Sequence, residues 1–176
     1  MSLPGRLRFG PVLTSTVIMA AIVVVAVLLG AGSPARARRL PAARPFTLSQ
    51  LGIPGRKISL AAYAGRPVII NFFASWCAPC QKETPLIARF YAAHHGRVVI
   101  IGIDANDQAG AALKFVHAEG VRYPVAFDPT ASVTTSYGIA ALPQTLFLNA
   151  KHQIVRHVAG AVTAQELNSW AATISG

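Results

Sequence analysis

Apolar and polar positions divide the chain into three stretches. From Val12 to Gly32 only Thr14, Ser15 and Thr16 interrupt an apolar block, and Val17 to Leu29 is unbroken. A helix needs about 20 apolar residues to cross a bilayer. The block reaches that length between residues 11 and 32 and offers no polar face to water. Residues 33–45 are rich in Ala, Arg and Pro, have no hydrophobic period, and read as a tether. From residue 46 onward, short apolar runs alternate with stripes of helical spacing.

Those runs predict the elements. Ile58-Ser59-Leu60 follows the Pro54-Gly55 turn and reads as a short strand. Pro67 to Phe73 is nearly continuous in apolar residues, as in a strand covered on both faces. The segment after Cys77 reads as a helix with Leu86, Phe90 and Ala93 on one stripe, ended by Gly96 and kinked by Pro85. Arg97–Ile103 is a second buried strand, Gln108–Glu119 a helix, Val125–Phe127 a strand, and Thr130–Tyr137 a helix stopped by Gly138. Thr145–Leu148 and Gln153–Val158 make a hairpin. Thr163–Ile174 is the last helix, with Thr163 and Glu166 spaced for a capping box. Alternation followed by a hairpin and a helix predicts an α/β fold, a central mixed β-sheet flanked by helices.

Composition changes the picture at one point. The net charge is +10, but residues 1–44 carry six arginines and no acid. The remainder has ten Lys and Arg against six Asp and Glu, without a basic stripe or interleaved aromatics. That excludes the footprint of a nucleic-acid binder. Arg6 and Arg8 begin a basic tail over residues 1–10, the start expected of an export signal. The apolar block is then an uncleaved signal-anchor, or a signal peptide cut near Ala35-Arg36-Ala37. Arg36, Arg38, Arg39 and Arg44 follow the block, and a positive-inside count would keep the domain inside. The redox chemistry below argues for the outside, and we give it the greater weight.

The chain has two cysteines, Cys77 and Cys80. Cys77 follows a buried strand and opens a helix, where unpaired amides carry partial positive charge. A thiolate is stabilised there, and the thiolate is the species that attacks a disulfide. Cys77 is therefore the expected attacker. Cys80, one turn on, would resolve the mixed disulfide. Pro79 stiffens the first turn at little cost, and Trp76 is expected to pack beside Cys77. Two other readings stand beside the redox one. A static bridge between residues so close stabilises little, and a metal site needs further soft ligands that the five scattered histidines do not supply. We expect no metal and no organic cofactor.

The run Val68-Ile69-Ile70-Asn71-Phe72-Phe73-Ala74-Ser75-Trp76-Cys77-Ala78-Pro79-Cys80-Gln81-Lys82-Glu83-Thr84-Pro85 resembles the active-site segment of the membrane-anchored thioredoxin-like thiol–disulfide oxidoreductases of the TlpA/ResA/DsbE type. Tyr123-Pro124-Val125 with Asp128, Tyr137-Gly138-Ile139 and Leu142-Pro143-Gln144-Thr145-Leu146-Phe147 extend the resemblance over residues 46–174. It implies a thioredoxin-like fold, a redox-active Cys77–Cys80 disulfide, and a cis peptide between Leu142 and Pro143 facing the cysteines and holding the substrate chain. Cytoplasmic thioredoxins carry a buried Asp at the Asn71 position. Asn71 is either a neutral member of the site or a satisfied core amide. Glu83 is the nearest acid to Cys80, read first as a solvated helix-start carboxylate and second as a proton carrier. Ala141 stands where many relatives have Gly.

The resemblance implies a monomer anchored in the cytoplasmic membrane with its domain on the periplasmic side. It would reduce disulfides of exported proteins, for example apocytochrome c, and draw electrons from a membrane thiol reductant. The alternative is a copper chaperone for an oxidase, with the cysteines as soft ligands. A thiol peroxidase is disfavoured, because no Thr-containing loop carries the cysteine.

Overall fold

The computed structural model describes residues 40–94 and 97–176, and residues 40–176 form one compact unit. The expected tail, the membrane segment 11–32, most of the tether and Gly96 lie outside the described residues. Among the described residues, no helix is long and apolar enough to cross a membrane.

Seven strands make one mixed sheet. They are β1 (Thr47–Gln50), β2 (Lys57–Ser59), β3 (Val68–Phe73), β4 (Val99–Ala105), β5 (Val125–Asp128), β6 (Gln144–Leu148) and β7 (Ile154–Ala159). The order across the sheet is β2-β1-β5-β4-β3-β6-β7. β3, β4 and β5 run parallel, and β6 lies antiparallel to β3. Among the described residues, four α-helices flank the sheet: α1 (Ala78–His94), α2 (Ala109–Ala118), α3 (Ser132–Ser136) and α4 (Ala164–Ser175). β3, β4 and β6 are buried at every position, as the continuous apolar runs of β3 and β4 require.

The pleat sends alternate residues of β3 to two cores. Ile69 and Phe73 pack with Ile87 and Phe90 of α1, Val116 of α2 and Leu167 of α4. Val68, Ile70 and Phe72 pack on the other face with Ile101, Ile103, Leu146 and Ile139. Each fully buried side chain of this size contributes roughly 1.5–3 kcal/mol. Gly102 of β4 makes room on the first face. A Cβ there would lie 2.9 Å from the Phe73 ring and 3.1 Å from Tyr123.

Several sequence expectations need correction. β1 has no counterpart in the sequence reading, because Thr-Leu-Ser-Gln is short, polar and half-exposed. Leu60 belongs to a 3-10 turn (Leu60–Tyr63) rather than to a strand. The expected helix Thr130–Tyr137 shrinks to Ser132–Ser136, preceded by Ala131 in the left-handed region. The buried stripe of α1 is Cys80, Glu83, Thr84, Ile87, Ala88 and Phe90, whereas Ala93 is exposed. The end of the expected tether is bound to the domain. Ile154 donates its amide to the Pro41 carbonyl and Ala43 donates to the His152 carbonyl, both at 2.8 Å. Backbone pairing of this kind leaves no hydrophobic period to read. The capping box of α4 is present, with Thr163 Oγ1 accepting the Glu166 amide and the Glu166 carboxylate accepting the Thr163 amide.

Candidate active site

The cysteines sit where β3 hands over to α1. Cys77 occupies the N-cap of the helix, and its carbonyl accepts the first helical bond, from the Gln81 amide at 3.0 Å. The Cys80 amide donates to Cys77 Sγ at 3.3 Å. The sulfur thus takes the place that a serine or aspartate oxygen fills at an ordinary N-cap. The two residues are joined by a disulfide, S–S 2.06 Å. Cys77 keeps a slight exposure, whereas Cys80 has none. Ala78 and Pro79 are exposed around them.

The loop before Cys77 is clasped by the segment between β4 and α2. The Ser75 amide donates to Asp107 Oδ2 at 2.5 Å, and the Trp76 indole Nε1–H donates to the Asn106 carbonyl at 3.0 Å. Trp76 is thus held at the surface next to Cys77 in the chain. Its ring is 58% exposed, because the indole dipole finds its acceptor on a surface loop. A groove of about 170 Å³ runs from Trp76 past Ala131, Thr134 and Ile139 to Leu142.

Below the disulfide lies a buried polar network. Glu83 is not a solvated helix-start residue. It is 2% exposed, on the same face of α1 as Cys80 and one turn further along. Its Oε1 accepts from Asn71 Nδ2 at 2.7 Å and its Oε2 accepts the Val162 amide at 2.7 Å. Asn71 also donates to Thr145 Oγ1 at 3.0 Å. Burial raises the Glu83 pKa above the usual carboxylate range, and the two donors partly offset it. Asn71 is thus a neutral donor bound to this acid, which favours the first of its two readings. Its Oδ1 and the buried Tyr123 hydroxyl have no partner among the described residues.

A second acid on this face of the sheet is Asp104, at the end of β4 and in register with Phe73. It is fully buried, and among the described residues no donor lies in hydrogen-bond position on either carboxylate oxygen. Burial, reinforced by the charge of the Asp107 carboxylate, by sharing of a proton with it and by the charge of Asp128, pushes its pKa up to about 8. The sequence reading passed over it. The signal was there, since Asp104 is the sole charge in the otherwise apolar β4.

The Leu142–Pro143 peptide is cis. Pro143 is buried and Leu142 half-buried at the end of the groove. The Gly160 amide donates to the Pro143 carbonyl at 3.0 Å, and Gln144 Nε2 donates to the Ala141 carbonyl at 2.8 Å. Among the described residues, no group of three or more His, Cys, Asp and Glu side chains is arranged to hold a metal ion.

The arrangement is one sulfur at the surface, one beneath it, a helix start under the first and an acid one turn past the second. Such a pair can exchange a disulfide with another molecule and return to itself. Comparison with known proteins agrees. The model of the AhpC/TSA family matches residues 41–158. The thiol–disulfide oxidoreductase ResA of Bacillus thuringiensis is 31% identical over 119 residues, covering 67% of this chain and 69% of ResA. A thioredoxin-family thiol:disulfide interchange protein from Chlorobium tepidum shares the fold, with TM-score 0.69, 24% identity, and coverage of 78% of this chain and 98% of that one. A secreted thiol–disulfide isomerase from Corynebacterium glutamicum superposes with TM-score 0.66 at 26% identity, covering 78% of this chain and 85% of its own.

Proposed function

Given that the chain belongs to the AhpC/TSA family and is a thioredoxin-like thiol–disulfide oxidoreductase, we propose that it acts outside the cytoplasmic membrane, reducing disulfides of exported proteins. The observation that carries the reading is the asymmetry of the pair. Cys77 alone reaches the surface, and its sulfur lies at a helix start under the Cys80 amide. As a thiolate, Cys77 would be favoured by that amide and by the helix dipole.

The reaction follows in two displacements. The Cys77 thiolate attacks one sulfur of the substrate disulfide. A mixed disulfide forms, and the other substrate sulfur leaves as a thiolate. Cys80 then loses its proton and attacks Cys77 Sγ. The Cys77–Cys80 bond forms and the second substrate sulfur is released. Two electrons pass to the substrate, and the enzyme ends in the disulfide form. Glu83 takes the Cys80 proton, since it is the acid one turn along the same buried face and burial brings its pKa nearer to that of a thiol. Trp76, Leu142 and the cis-Pro143 loop receive the substrate chain along the groove. Pro79 keeps the first turn stiff.

A membrane thiol reductant would restore the dithiol. The apolar segment 11–32 would anchor a monomer by a single span, with residues 33–45 leading to the domain. The secreted relative from Corynebacterium glutamicum supports the outward location. An apocytochrome c whose haem-binding cysteines must be reduced is a substrate of the right chemistry.

The test is substrate trapping by the full chain. Cys80→Ser should accumulate mixed disulfides with exported proteins, and Cys77→Ser should accumulate none. The midpoint potential of the pair fixes the direction. A value near the oxidising end of related folds, about −120 mV, would overturn the reductant reading. Tight Cu(I) binding without turnover would favour a copper chaperone.

A further inference from the structure

The loop that presents the cis proline is held from the strand that follows it. Gln144, the first residue of β6, is buried, and its side chain reaches back to the loop it follows. Its Nε2 donates to the Ala141 carbonyl at 2.8 Å, and its Oε1 lies 2.5 Å from Nε2 of His157 on β7. Leu146 pairs with His157 and Gln144 with Ala159 across the β6–β7 ladder. Gln144 and His157 are therefore diagonal neighbours on one face.

The polarity of this chain of bonds is forced. A carbonyl can only accept, so Gln144 must turn its NH2 toward Ala141. Its oxygen then faces His157, and that oxygen can only accept as well. His157 must supply an Nε2–H, which fixes its neutral tautomer. If the imidazole donor is lost, the Gln144 amide keeps only the Ala141 carbonyl to hold its side chain in place, and the loop is tied less firmly.

What the bonds leave open is informative. In the loop Ala141–Pro143, the Ala141 carbonyl is taken by Gln144 and the Pro143 carbonyl by the Gly160 amide. Pro143 has no N–H. The Ala141 N–H is open, and Leu142, at the end of the groove beside Trp76, has both its N–H and its C=O engaged by no hydrogen bond of the described residues. An extended peptide could pair with both, as in strand addition.

We propose that His157 and Gln144 are positioning residues. Through the Ala141 carbonyl they fix the backbone of Leu142 for pairing with a polypeptide substrate. The inference rests on the reading that this loop receives the substrate. It adds that an exposed edge-strand histidine sets how well it does so. Neither residue touches the sulfurs, so the effect falls on substrate binding and not on disulfide exchange itself.

The experiment uses the full chain, with insulin as polypeptide substrate and hydroxyethyl disulfide as a substrate without a backbone. Gln144→Leu removes both bonds at similar volume, His157→Ala removes the donor, and His157→Gln restores an N–H donor. Gln144→Leu and His157→Ala should raise KM for insulin about three- to tenfold, the scale of one hydrogen bond, with kcat and the hydroxyethyl disulfide rate within about twofold. His157→Gln should recover most of the loss. An unchanged KM, a parallel fall with both substrates, or no recovery in His157→Gln would overturn the proposal. If the unmodified chain reduces hydroxyethyl disulfide but never insulin, the substrate reading itself is wrong and the proposal falls with it.

Discussion

Two buried acids face the same side of the sheet, and their surroundings differ. Glu83 receives the Asn71 amide and the Val162 backbone N–H, whereas Asp104 receives no N–H donor among the described residues and faces the Asp107 carboxylate instead. Both have raised pKa values, and burial is the main cause in each. For Glu83 the donors make either protonation state tolerable, so a proton can come and go. For Asp104 the absence of donors leaves the neutral acid as the form the fold accepts. Burial perturbs a carboxylate, but partners decide whether the perturbation can be used.

The sharpest way to break this comparison is Glu83→Gln. It keeps the shape but cannot take a proton, and its NH2 opposes the Asn71 amide. Reduction of insulin should fall by about 100-fold, the lower range for loss of a general base. Stopped-flow kinetics should place the loss in resolution of the mixed disulfide. A change within twofold would reduce Glu83 to a structural acid.

Asp104 tests the other side. Its folded pKa of about 8 lies above the unfolded value. The folded state therefore holds more protons than the unfolded one between roughly pH 4 and pH 8, and stability falls as pH rises through that window. The loss should be of order a few kcal/mol. Asp104→Asn should flatten it, so that its urea midpoint exceeds that of the unmodified chain at pH 8.5 but not at pH 5. Equal slopes would contradict the assignment.

Asp128 sharpens the contrast as an acid that is buried and fully engaged. Its oxygens accept from Ser132, Val133 and Thr134 at the start of α3. Asp128→Ala should lower stability by about 1–2 kcal/mol, the scale of a lost N-cap. Thermal unfolding would show it, with activity little changed.

These acids also mark where the sequence was legible. Continuous apolar runs identified β3 and β4, and the Thr163–Glu166 spacing identified the start of α4, because each is a local signal. The cysteine pair was legible for the same reason. Glu83 was misread because a charged residue near a helix start is usually solvated. The spacing Cys80, Glu83, Ile87 already put it on the inner face. Asp107, Asn106, Gln144 and His157 act through bonds that span 13 to 32 residues. No local pattern announces such pairs. The docking of Pro41 and Ala43 on β7 uses backbone groups alone and leaves no mark in side-chain type.

That docking bears on how the molecule keeps to itself. β7 would otherwise offer a row of unpaired amides and carbonyls to any passing strand. Pro41 and Ala43 pair with the start of it, bridged by Ala42 opposite Gln153. Pro41 brings a carbonyl but no N–H, and Pro45 lies four residues on. The covering segment thus closes the start of that edge without becoming a new ladder itself. At the opposite border, β2 is three residues long and begins with Lys57. Each border of the sheet thus carries a feature that discourages growth from its beginning.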